Sequence, residues 1–143
     1  MRRLPLVAAA LIVAAVGVQG VSAATTPKAV VRAWSKALNA NDNVGAAKLF
    51  ALNARVIQPG VDVALTSRAL ALGFNASLPC AGKIVRITVN GDRATATFVL
   101  GERPKHRCDA PGAKAAAIFT VRHGKIVRWE QVPVPTAPSG PTA

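Results

Sequence analysis

The spacing of apolar residues takes three forms along the chain, and the start of each marks a boundary. From Leu4 to Val18 the residues are apolar almost without a break, from Val30 to Leu38 they recur at helical spacing, and beyond Cys80 they alternate. The first run is preceded by Arg2 and Arg3 and followed by the small-residue stretch "VQGVSAA". That order reads as a secretory signal peptide over residues 1–23, cleaved after Ala23 or Ala24, so that the protein is secreted or extracytoplasmic. The alternative is an N-terminal membrane anchor, because a run of about 20 apolar residues can span a bilayer.

Between the two later boundaries the pattern predicts three helices and a short strand. "ATTPKAVVRAWSKALNAND" is a helix with Thr26 as N-cap and Pro27 at the first helical position, where its missing N–H costs nothing. Val30, Trp34, Ala37 and Leu38 share one face of it, while Lys28, Arg32 and Lys36 form a like-charged stripe on another. "NDNVGAAKLFALNA" predicts a short second helix capped by Asp42 or Asn43, with Val44, Ala47 and Leu49 or Phe50 turned inward. Gly45 weakens it by about 1 kcal/mol relative to Ala. "RVIQPG", residues 55–60, is a short strand stopped by Pro59 and Gly60, and the Leu- and Ala-rich residues 62–75 predict a third, imperfect helix.

After Cys80 two hairpins follow. Val85, Ile87 and Val89 lead to Asn90-Gly91, a pair that tolerates positive φ, and Ala94, Ala96 and Phe98 return. A turn centred on that pair sets Val85 opposite Ala96 and Ile87 opposite Ala94. The second hairpin turns at His123-Gly124 within "AKAAAIFTVRHGKIVRWEQVP". The expected architecture is α+β, with N-terminal helices packed on one face of an antiparallel sheet of four main strands plus the short first one. Residues 24–133 form this single domain, and residues 134–143 a Pro-rich tail that cannot join a sheet interior and is left disordered.

Charge adds a constraint on partners. Lys and Arg number 18 against 6 Asp and Glu, a net +12, and loss of Arg2 and Arg3 with the signal peptide leaves 16 − 6 = +10. A cationic exported protein is drawn to anionic envelope surfaces, through the helix stripe or the basic cluster at residues 103–107. Nucleic acid is disfavoured, because an aromatic content of 4% leaves little stacking surface. Cys80 and Cys108, the two cysteines, are expected to form a disulfide that ties together the open ends of the first hairpin. The rival use is a metal site built from His106, Cys108 and Asp109, which lacks a second His or Cys cluster to complete it. No cofactor is expected.

"VVRAWSKALNANDNVGAAKLFALNARVIQP" at 30–59 and "AIFTVRHGKIVRWEQ" at 117–131 resemble the opening and closing segments of the nuclear-transport-factor-2-like, or SnoaL-like, superfamily. The resemblance implies a cone of curved antiparallel sheet closed by three helices, with a pocket inside. Its ketosteroid isomerases carry a base aspartate before a proline, and in "VIQP" that place is taken by Gln58; the oxyanion tyrosine has no counterpart, since the chain contains no tyrosine. Its epoxide hydrolases need converging carboxylates, for which Asp62, Glu102 and Glu130 are the acids left once caps and turns are assigned. The expected function is therefore a non-catalytic pocket for a small apolar or weakly anionic ligand, lined by Trp34, Gln58, Phe98, Trp129 and Gln131. A hydrolase or isomerase of the epoxide-hydrolase or polyketide-cyclase kind, acting on a hydrophobic substrate through Asp62 or Glu130, is the alternative. A cationic interaction module is the third reading. A homodimer through the outer sheet face would bring Arg86, Arg122 and Arg128 together.

Overall fold

The computed structural model describes residues 25–136, so the signal-like segment and most of the Pro-rich tail lie outside the described residues. Residues 133–136 have no regular structure.

The first helix, α1 (Pro27–Asn39), begins as expected: the Thr26 hydroxyl accepts from the Ala29 N–H at 3.2 Å, and Pro27 follows it. Val30, Val31, Trp34 and Leu38 are its buried face. In α2 (Asn43–Lys48) the Asp42 carboxylate accepts from Gly45 N–H at 2.8 Å. Val44 does not pack inward but is 52% exposed, because the inner face of this short helix is Ala46 and Ala47, continued by Phe50.

The strands are longer and more numerous than the alternation suggests. β1 runs from Phe50 to Gln58, beginning five residues before the expected start, since Leu52 and Asn53 (φ +63°) break its pattern where the register to its neighbour shifts. Residues 62–75 are not one helix. They divide into β2 (Val61–Leu65), which folds back on β1 through Pro59 and Gly60 (φ +75°), and α3 (Arg68–Ser77), capped by the Ser67 hydroxyl. The third helix thus follows a hairpin, and the helices do not all precede the sheet.

β3 (Ala81–Asn90), β4 (Arg93–Gly101), β5 (Lys114–Arg122) and β6 (Lys125–Val132) complete a six-stranded sheet in the order β2-β1-β6-β5-β4-β3. Every neighbouring pair is antiparallel except β1 and β6, which are parallel. Irregularities in three of the five pairings bend the strands, as bulges do, and the sheet curves without closing. The β5–β6 turn is the one expected, with His123 (φ +51°) and Gly124 (φ +71°) between paired Arg122 and Lys125. In the β3–β4 hairpin the turn sits one residue later. Gly91 takes the first turn position at φ +60°, Asn90 pairs with Arg93, and Ile87 therefore faces Ala96 while Val89 faces Ala94. Val85 falls in the bulge and is half exposed.

The concave face of the sheet buries Val56, Ala96, Phe98, Ala117, Phe119 and Trp129 against α1, with α3 packed beside them. The connector between β4 and β5 is fixed at two points. Cys108 forms a disulfide with Cys80, and Arg103 is buried at 2% exposure instead of lying on a surface cluster. Its guanidinium donates to the carbonyls of Asn75 and Leu78 at the end of α3 and to the Asn43 side chain. Burial lowers its pKa from the ordinary arginine value.

The disulfide closes a loop with a sequence separation of 28. Replacing both cysteines with serine should lower unfolding free energy by about 3–4 kcal/mol in the chain-entropy description, read from urea denaturation of the oxidised and substituted proteins. An unchanged urea midpoint would show that the bridge adds nothing.

Candidate functional site

Between α1, the concave sheet face and the start of β3 lies a cavity of about 270 Å³. All five residues expected to line a pocket do so: Trp34 from α1, Gln58 from the end of β1, Phe98 from β4, and Trp129 with Gln131 from β6. Period-2 geometry explains why the strand residues converge. Gln58 shares the inner side of β1 with Ala54 and Val56, and Gln131 shares that of β6 with Trp129. The Gln58 amide donates to the Gln131 side-chain oxygen at 3.3 Å across these neighbouring strands.

The wall is mainly apolar, and its three rings, Trp34, Phe98 and Trp129, cluster with Phe119. Trp34 lies 6.1 Å from Phe98, 5.1 Å from Phe119 and 6.4 Å from Trp129 between ring centroids, in tilted and edge-on arrangements that favour ring pairs. Its indole N–H donates to Asn75 Oδ1 at 2.8 Å, so one end of the ring is fixed. The Trp129 indole nitrogen is buried without an acceptor among the described residues. On the α1 side, Asn39 makes a reciprocal pair of bonds with the Gly82 backbone, both at 2.9 Å, and Ser35 donates to the same carbonyl at 3.1 Å. A side chain at position 82 would come within 3.0 Å of the Phe98 ring, which is why a glycine stands where β3 meets helix and cavity.

Among the described residues Asp109 is the one side chain lining the cavity that can carry a charge, and it is exposed. Its Oδ1 lies 3.4 Å from Cys80 Sγ, a contact without a proton because the sulfur is oxidised. Cys80, Cys108 and Asp109 are close enough to surround an ion, but sulfurs joined to each other are not thiolate ligands. His106 does not join them. The carboxylates proposed for catalysis are elsewhere: Asp62 is bound to Arg55 at 2.6 Å and Glu130 to Arg128 at 3.0 Å, both away from the cavity. Neither Asp62 nor Glu130, the acids expected for a hydrolase or isomerase, lines this cavity.

Asn75 and Arg103 were missed by the sequence reading. Asn75 is fully buried, receives the Trp34 indole through its side chain, donates to the Ala71 carbonyl, and accepts from Arg103 through its own carbonyl. An Asn late in a helical run that ends shortly before Pro79 was the available signal.

A family model described as the SnoaL-like domain matches residues 31–129. Among solved structures, an NTF2-like protein of unknown function from Cytophaga hutchinsonii superimposes with a TM-score of 0.62 at 12% identity, covering 75% of this chain and 88% of that one. A candidate polyketide cyclase from Sinorhizobium meliloti gives 0.61 at 20% identity over 72% and 93%. A protein of ketosteroid-isomerase-like fold from Catenulispora acidiphila, in complex with trimethylamine, gives 0.59 at 22% over 76% and 87%. These similarities extend to the fold. No curated protein matches the chain.

Replacing Asn75 with Leu leaves the buried Trp34 N–H without its acceptor and should cost about 1–3 kcal/mol of stability. Combining it with Trp34→Phe should cost less than the sum of the two single changes, because the double variant leaves no orphaned donor. Strict additivity in denaturant titrations would contradict the bond's role.

Proposed function

The chain belongs to the SnoaL-like domain family, and on that premise we propose that its cavity binds a small, neutral, apolar molecule without transforming it. One observation carries this reading. The cavity is walled by Trp34, Phe98 and Trp129 with aliphatic side chains, its polar groups are amides and a serine, and its single carboxylate stands exposed at the mouth. Apolar walls with a few orienting polar groups are the usual composition of a binding pocket.

Catalysis of the isomerase kind needs a base of suitable pKa and donors aimed at a developing oxyanion. The position where such a base would stand is Gln58, an amide already paired with Gln131. The Asp109 carboxylate also argues for a neutral ligand over an anionic one, since an anion would meet a like charge at the mouth. That the Catenulispora acidiphila protein is in complex with trimethylamine is in keeping with a binding role for this fold. The signal-like N-terminal run supports a binding role outside the cytoplasm.

Trp34 and Trp129 are the two tryptophans of the chain, and both line the cavity, so intrinsic fluorescence reports occupancy. Titration with naphthalene or indole analogues should give a saturable change with Kd on the order of 0.1 mM. Ala117→Leu, which fills the cavity from β5, should weaken binding at least about tenfold, equivalent to 1.4 kcal/mol, while the protein stays folded. Asp109→Asn should leave binding intact. Absence of a saturable signal would overturn the proposal, as would turnover of an epoxide or ketone probe that is lost in Asp109→Asn.

A further inference from the structure

The convex face of the sheet, turned away from the helices, carries a groove of about 450 Å³ lined by Arg55, Arg93, Thr120, Arg122 and Arg128 together with Asp92 and Val127. Strand register explains the concentration of charge. Arg93 pairs with Thr120, Thr120 with Arg128, and Arg128 with Arg55, so a single row crossing β4, β5, β6 and β1 reads Arg-Thr-Arg-Arg. Arg122 stands two residues further along β5 on the same face. Like charges directly opposed across strands destabilise a sheet, and Arg128 and Arg55 are so opposed.

The arginines are held in place. Asp62 binds Arg55 at 2.6 Å, Asp92 binds Arg122 at 3.0 Å and Glu130 binds Arg128 at 3.0 Å. Of these acids only Asp92 lines the groove. A guanidinium has five N–H donors in a planar fork. Arg55 and Arg128 use Nε and Nη2 on their carboxylates and Arg122 uses Nε, which leaves further N–H groups of each without an acceptor among the described residues. Among the described residues Arg93 forms no ion pair.

We propose that this groove is an anion-binding site for an oligophosphate, a ligand carrying two or more linked phosphate groups. Pre-oriented guanidinium forks match phosphate oxygens bidentately. Neighbouring strands are about 4.8 Å apart, so the row from Arg93 on β4 to Arg55 on β1 extends over three spacings, about 14 Å, a length that one phosphate does not span and a chain of phosphates does. A second copy of the chain is a poorer occupant. Two-fold pairing through this face would set the arginine row against itself.

The test is calorimetric titration of the full chain with sodium tripolyphosphate at low ionic strength, beside two variants that lose equal charge. Arg55→Gln/Arg93→Gln/Arg128→Gln removes the row; Lys28→Gln/Arg32→Gln/Lys36→Gln removes the exposed stripe on α1. The row variant should bind at least about tenfold more weakly, and the stripe variant within about twofold of the unaltered protein. Arg93→Gln alone, which breaks no ion pair, should weaken binding about threefold and serves if the triple variant does not fold. Equal weakening by the two triple variants would overturn the proposal, since attraction would then follow net charge. So would equal affinity for inorganic phosphate and tripolyphosphate, or a dimer in sedimentation that the row variant converts to monomers.

Discussion

The cavity depends on a buried polar relay that runs from α1 to the β4–β5 connector through α3. Trp34 donates to the Asn75 side chain, and the Asn75 carbonyl accepts from Arg103, which also reaches Leu78 and Asn43. Trp34, Asn75 and Arg103 are almost completely buried, and a buried polar group without a partner costs about 1–3 kcal/mol. The relay is therefore tied to one arrangement. Trp34 cannot swing into the cavity without orphaning its N–H, and Arg103 cannot leave without stripping the end of α3 of its donors.

This constraint sorts the charges of an unusually basic chain. Among the described residues the one cation taken inside is Arg103, whose terminal guanidinium nitrogens donate to carbonyl and amide oxygens without bringing in an acid, while its Nε–H is buried without a partner. The remaining described cations lie outside the cavity wall, where Asp109 alone is ionisable. Arginines collect instead on the convex face, where the strand register aligns them. The two faces of one sheet thus present opposite chemistry: an aromatic, nearly uncharged hollow and a cationic groove. The disulfide secures the connector that carries both Arg103 and Asp109.

How far the sequence foretold this follows from which physical signals are local. Thr26-Pro27 and His123-Gly124 act within a few residues, and both behaved as read. The convergence of Gln58 and Gln131 needed only period 2 and the right inner face, although their parallel pairing was not anticipated. The division of residues 62–75 into β2 and α3 was missed because Leu and Ala content favoured helix throughout. Ser67, a good cap, went unweighted. The β3–β4 register slipped because Gly91, not Asn90, leads the turn. Arg103 misled for a different reason: beside Pro104, Lys105 and Arg107 it reads as a solvated loop, and its acceptors come from segments more than 20 residues away.

That the cavity is preformed and held by the relay is the centre of this account. Hydrogen exchange of the two indole N–H groups in the free protein, resolved by two-dimensional NMR, tests it most directly. The Trp34 N–H, bonded to Asn75, should exchange only through global unfolding, so that its protection matches the stability from denaturant titration. Exchange of that proton at the rate of a solvent-exposed indole would mean that the relay opens freely and that the cavity is not a built site.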